Sequence, residues 1–157
     1  MPYTDLLAAS RIVQVVEPGS RDQVLDVAAR LLSGNSADWT QSIADGLRAR
    51  EGVGSTGIGR GVAIPHCRCE ASSQPLAAFL RLANPVDFDA HDGEPVDLVF
   101  AMAIPGDHAQ QHLDTLSELA GRFADAGFRD SVRGAPDITA LRGLLLHDKG
   151  PRQARPA

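Results

Sequence analysis

The chain has 157 residues, the length of one ordinary domain, which can bury a core without disulfides or a metal. Hydrophobic residues make up 43%, charged residues 22%, and the formal net charge is −5, a globular composition that opposes binding nucleic acid by neutralising its phosphates. The longest apolar run, Val99 to Ile104, is far too short to span a bilayer, and MPYTDLLAASR lacks the basic flank and apolar stretch of a secretory signal. A cytoplasmic protein that is not membrane-embedded is expected.

In chain order, Arg11 to Val16 (RIVQVV) is a β-branched run that predicts a strand. Ser20 stands three residues before Gln23, the spacing of a capping box, and Val24, Val27, Ala28 and Leu31 recur at helical intervals until Gly34 and Asn35. A second helix is predicted from Ser36 to Asp38 onward, with Trp39, Ile43 and Leu47 at steps of four, ending near Arg50 or Glu51. Five of the ten residues from Gly52 to Gly61 are glycine, a density suited to turns and close backbone approach. Val62 to Ile64 is short and β-prone, and Pro65 is expected to end it.

Leu76 to Leu82 (LAAFLRL) fits a strand or a helix, and the bracketing Pro75 and Pro85 favour a strand. Val96 to Ile104 (VDLVFAMAI) reads as a strand buried on both faces, as in a sheet with helices on each side. After the Pro105-Gly106-Asp107 turn comes a long helix with Leu113, Leu116, Leu119, Ala120 and Phe123 as its apolar stripe. Two shorter helices follow, Asp125 to Val132 and Asp137 to Leu146, the latter capped by Asp137. Lys149 to Ala157 reads as a flexible tail, leaving residues 1–148 as one α/β domain with helices on both faces of a sheet.

Of the five histidines, His66 directly follows the glycine-rich stretch and a proline, at a strand end where α/β proteins place their sites. Its neutral ring is a competent nitrogen nucleophile near neutral pH; the plain alternative is a loop histidine without a role. His112 lies near the start of the long helix, where unpaired N–H groups favour anions, and could donate to a phosphoryl oxygen or merely occupy the helix face. His108 shares that face only if the helix already includes it, and His91 and His147 receive no role.

Metal binding is disfavoured. HCRC at 66–69 alternates its side chains across a strand, and HAQQH at 108–112 has Ala109 where a zinc peptidase needs its general base. Cys67 and Cys69 are too close in sequence to form a structural staple and read as free thiols. TGIGRG precedes a β-prone segment rather than a helix, and no GxxxxGK[ST] loop is present, so any phosphoryl donor would be something other than a bound nucleotide.

Arg50-Glu51 with GSTGIGRGVAIPHCR (Gly54 to Arg68) closely resembles the phosphorylation-site signature of enzyme IIA of the bacterial phosphotransferase system, mannitol/fructose class, most of all its nitrogen-regulatory members. PVDFDAHDGEPVDLVFAMAIP (Pro85 to Pro105) and HLDTLSELAGRFAD (His112 to Asp125) extend the resemblance to nearly the whole domain, roughly Leu6 to Leu146. The resemblance implies an α/β/α sandwich with a mixed central sheet, no cofactor, and a phosphoryl group carried on His66 at Nε2. It also assigns Arg50 as the arginine that neutralises that group and His112 as the second active-site histidine, with Ser55 and Thr56 as further candidates through a hydroxyl or backbone N–H.

The donor it implies is a histidine-containing phosphocarrier protein (HPr or its nitrogen-branch relative), with regulatory proteins as targets. Where the family commonly has Gly or Ala after the active histidine, this chain has Cys67, a thiol that could make the site redox-sensitive. Two other readings stay open: a sugar-specific IIA component that passes phosphate to a IIB domain, and a binding module that is not phosphorylated.

Overall fold

Ile12–Val15 forms β1, four residues inside the expected run. The Ser20 capping box then starts α1 (Arg21–Ser33): the Gln23 amide donates to Ser20 Oγ at 3.3 Å, and the Ser20 amide donates to Gln23 Oε1 at 2.8 Å. Gly34 ends the helix in the left-handed region at φ 63°, where a side chain would be strained. Next come α2 (Ala37–Val53), β2 (Gly57–Gly59), β3 (Val62–Ala63), β4 (His66–Arg68), β5 (Leu76–Val86), β6 (Val96–Ile104), α3 (Ala109–Phe123), α4 (Ala126–Gly134) and α5 (Ile138–Leu146). These elements are those of a computed structural model that describes residues 2–70 and 73–148; the expected tail at 149–157 lies outside the described residues.

The strands form a mixed six-stranded sheet in the order β1-β5-β6-β3-β2, with β4 also paired to β6. β5 and β6 are antiparallel, whereas β1 runs parallel to β5 and both β3 and β4 run parallel to β6. Consecutive residues of β6 serve opposite layers. Val99, Ala101 and Ala103 face α1 and α2, among Val24, Leu25, Ile43 and Leu47. Leu98, Phe100, Met102 and Ile104 face the other helices, among Leu119, Phe123, Phe128, Leu141 and Leu145. A sheet strand buried on both sides is what an α/β/α sandwich requires.

Several boundaries differ from expectation for local reasons. α2 runs to Val53 and is ended by Gly54. β5 continues past Leu82 to Val86, with the register shifting between Arg81 and Val86, so Pro85 sits within an irregular strand end. β2, not anticipated, forms a hairpin with β3 through Arg60 and Gly61, both at positive φ (59° and 80°) as a tight two-residue turn demands. In α3 the buried face is carried by Thr115, Leu119 and Phe123, while Leu113 is 60% exposed.

The difference that matters most is at Pro65. Pairing with β6 pauses there, because proline has no N–H to give, although its carbonyl still accepts from the Met102 amide at 3.0 Å. Pairing then resumes, His66 opposite Met102 and Cys67 opposite Ala103. His66 therefore begins a strand rather than closing one.

Candidate active site at the open edge of the sheet

With side chains alternating across β4, Cys67 packs into the α1/α2 layer, and His66 and Arg68 share the other face. β4 is paired only to β6 among the described strands, so its outer edge is open. A cavity of about 530 Å³ occupies that edge between α2 and α3, lined by Arg50 and Gly46 from α2, His66 to Arg68 from β4, and His112 and Leu113 from α3. The turn residues Pro105 and Gly106 complete its wall. The three residues expected to act together, His66, Arg50 and His112, thus come from three separate elements and meet in one cavity.

The two imidazoles lie with ring centres 4.9 Å apart and planes inclined at 54°. His66 Nδ1 is 2.9 Å from the Ile64 carbonyl. A carbonyl can only accept, so Nδ1 carries the hydrogen and Nε2 is left with the lone pair. Burial holds His66 below its ordinary pKa; the Ile64 bond opposes this, the Arg50 charge adds to it, and Glu51 opposes it. His112 is lowered in the same direction, first by burial and then by His66 and Arg68. Both rings are therefore biased toward the neutral form. His112 Nδ1 is buried without a hydrogen-bond partner among the described residues.

Arg50 leaves the last turn of α2 and donates through Nη1 to the Gly54 carbonyl at 2.7 Å, which holds the guanidinium against the helix end. With Arg68 it puts two cations on the cavity wall, and no carboxylate is among the described residues that line it. Such a cavity favours an anion. Arg68 lay within the signature without a role; its signal in the sequence was the two-residue period that puts it on the His66 side.

Ser55 and Thr56 are not among the cavity-lining residues. The Ser55 hydroxyl donates to the Phe88 carbonyl. The Thr56 hydroxyl and amide both donate to the Glu51 carboxylate, in a pair buried to 5% and 6% exposure. The Thr56 side chain braces the glycine-rich loop against α2, and the Ser55 side chain ties it to the segment that follows β5. His108 is the N-cap position of α3, with Nδ1 2.7 Å from Asp107, and does not share the face that carries His112.

Cys67 and Cys69 are both buried. Burial, followed by the neighbouring Cys69, pushes the Cys67 thiol up to about 12, so it holds almost no thiolate near neutrality and is a poor target for oxidation. Among the described residues no group of three or more His, Cys, Asp or Glu side chains could hold a metal ion, and no helix is long and apolar enough to cross a membrane.

Comparison with known proteins converges on one family. Residues 5–147 match the family described as phosphoenolpyruvate-dependent sugar phosphotransferase system, EIIA 2. The nitrogen regulatory protein of Pseudomonas aeruginosa is 42% identical over 142 residues, spanning 90% of this chain and 92% of that protein. The PTS system fructose-specific EIIA component of Haloferax volcanii is 30% identical over 152 residues, spanning 92% and 97%. The crystal structure of nitrogen regulatory protein IIA-Ntr from Neisseria meningitidis superposes with a TM-score of 0.83 at 38% identity, covering 91% of this chain and 98% of that one.

Proposed function

Since the chain belongs to the EIIA 2 family of the phosphoenolpyruvate-dependent sugar phosphotransferase system, we propose that it is a cytoplasmic phosphocarrier of the nitrogen-regulatory type whose His66 Nε2 accepts a phosphoryl group. The donor is a phosphohistidine protein, HPr or its nitrogen-branch relative. The observation that carries this reading is the 2.9 Å bond from His66 Nδ1 to the Ile64 carbonyl, because it leaves Nε2 as the ring's one nucleophilic atom.

In the transfer, the Nε2–P bond on His66 forms as the donor's N–P bond breaks, and the donor ring keeps the electron pair. His66 retains its Nδ1 proton throughout, held by Ile64, so the exchange needs no proton to move. One P–N bond replaces another, which keeps the step close to thermoneutral. What the protein supplies is alignment and a counter-charge for the phosphoryl oxygens. Arg50, on the cavity wall, offers a planar guanidinium fork of donors for those oxygens. His112, with Nδ1 buried and unpartnered, is best held as the Nε2–H tautomer, a neutral donor beside the acceptor ring.

The test is incubation with a phosphorylated carrier, followed by mass spectrometry and NMR assignment of the phosphohistidine isomer. Wild type should gain one phosphoryl group at Nε2, and His66→Ala none. Arg50→Ala should slow transfer by about 10²-fold while staying folded, by analogy with the loss of one charged transition-state donor. An unlabelled wild type would leave the chain as a binding module, and a fully labelled His66→Ala would remove His66 as acceptor. The Haloferax volcanii relative favours a sugar-specific role as the second reading. Rapid onward transfer to a fructose-type IIB domain would support it, whereas a phosphoryl group that stays on His66 supports the regulatory one.

A further inference from the structure

α2 carries a glycine in its interior, Gly46, where alanine would be the better helix former. Its reason lies across the layer boundary. A Cβ placed on Gly46 would stand 3.0 Å from Cys67 Cβ and 3.4 Å from Cys67 Sγ, whereas carbon atoms in good contact sit ~3.5–4.0 Å apart. The backbone of α2 therefore approaches β4 as closely as it does only because position 46 has no side chain. Both residues line the cavity that holds the two imidazoles. Arg50 lies four residues beyond Gly46, on the same helix face one turn on, and His66 immediately precedes Cys67 in β4.

We infer that Gly46 is a positioning residue: its bare backbone, seated against Cys67, sets the distance at which α2 presents the Arg50 guanidinium to the His66 ring. The inference rests on the proposed role of His66 as phosphoryl acceptor. Closure of the site is decided at the helix–strand contact rather than by Arg50 itself, whose side chain is only tied back to Gly54. An added methyl would displace α2 from β4 by several tenths of an ångström at that contact. It would carry Arg50 away from the phosphoryl oxygens while leaving every group of the site in place chemically. Misplacement on this scale is costly to phosphoryl transfer, which depends on alignment.

Three variants test it: Gly46→Ala, Gly46→Ala with Cys67→Gly, and Gly46→Ala with Cys67→Ala. Readouts are the rate of His66 phosphorylation by a phosphorylated carrier, the carrier's apparent KM, and the NMR titration of the His66 ring. Gly46→Ala should keep its helical circular dichroism and its KM, lose ~10-fold in maximal rate, and titrate His66 at higher pH, because the repelling Arg50 charge has moved off. Cys67→Gly in that background should restore rate and titration to within about twofold. Cys67→Ala should not, because the nearest atom in the clash is Cβ rather than Sγ. If Gly46→Ala fails to fold, Cys67→Val crowds the same contact from the strand side and should give the same loss.

A wild-type rate and titration in Gly46→Ala, or no recovery with Cys67→Gly, would overturn the inference. Failure of the phosphoacceptor reading would instead appear as unlabelled wild type, and the His66 titration would still decide whether Gly46 sets the Arg50 distance.

Discussion

His66 and His112 face each other with ring centres 4.9 Å apart, and burial holds both below the ordinary imidazole value of 6.5. That depression has a consequence for stability as well as for chemistry. Between the lowered folded values and 6.5, the unfolded chain binds more protons than the folded one, so stability rises with pH across this window. Their contribution is complete above about 6.5 and is lost as the solution is acidified below it. Urea midpoints measured from pH 7.5 down to 5.5 should therefore fall, and the fall should be shallower in His66→Ala and His112→Ala. A slope identical in wild type and both variants would place the acid sensitivity elsewhere. The same depression favours an unprotonated His66 Nε2 near neutral pH, with the lone pair that the proposed transfer requires.

Elements differ in how much of their formation is local. α1 is specified almost entirely by its own residues, Ser20 and Gln23 at one end and Gly34 at the other. Ser20→Ala should cost about 1 kcal/mol, read as a lower urea midpoint with an unchanged m-value, since it leaves one amide of the first turn without its acceptor. α4 is finished from outside. The Arg81 guanidinium on β5 donates through Nη1 to the carbonyls of Val132 and Ala135, at 2.9 and 2.8 Å, satisfying the end of a helix some fifty residues away. Nothing near Gly134 in the chain announces that partner. β4 is similar: Pro65 announces an end of pairing, but only the presence of β6 alongside lets pairing resume one residue later.

Across the whole molecule, the two ends of the described chain are tied together. The Tyr3 hydroxyl donates to the Asp148 carboxylate, which also accepts from Arg122 Nε and Nη2 at 2.8 and 2.9 Å. The Tyr3 ring meets Phe100 edge-on at 5.6 Å, so the N-terminal turn is anchored on the face of the sheet opposite α1 and α2. Burial and then Asp148 push the Tyr3 phenol well above its ordinary value of 10.0. Above pH 10 the unfolded chain loses this proton while the folded chain keeps it, so stability falls with rising pH there. Tyr3→Phe should cost about 2 kcal/mol near neutrality, a hydrogen bond to a charged partner, and should remove this part of the alkaline loss. Denaturation at pH 7 and pH 11 checks both statements; an equal alkaline loss in the variant would assign it to other groups.

Local pattern alone determined the helices with clear period and caps and the doubly buried strand at Val96–Ile104, because these depend on neighbours within one or two turns, whereas Arg50, His66 and His112 were singled out together only by the resemblance of their motifs. The tertiary structure decided what those residues can do together. Arg50, His66 and His112 are drawn into one cavity only when α2, β4 and α3 pack at the open sheet edge, and Ser55 and Thr56, equally prominent in the motif, are spent on Phe88 and Glu51. Arg68 and Gly46 acquire meaning in the same way, one from the face that β4 presents and the other from a helix approach of about a methyl group's width. Distances between elements are set by packing over the whole core, and such distances leave no periodic trace in the order of the amino acids.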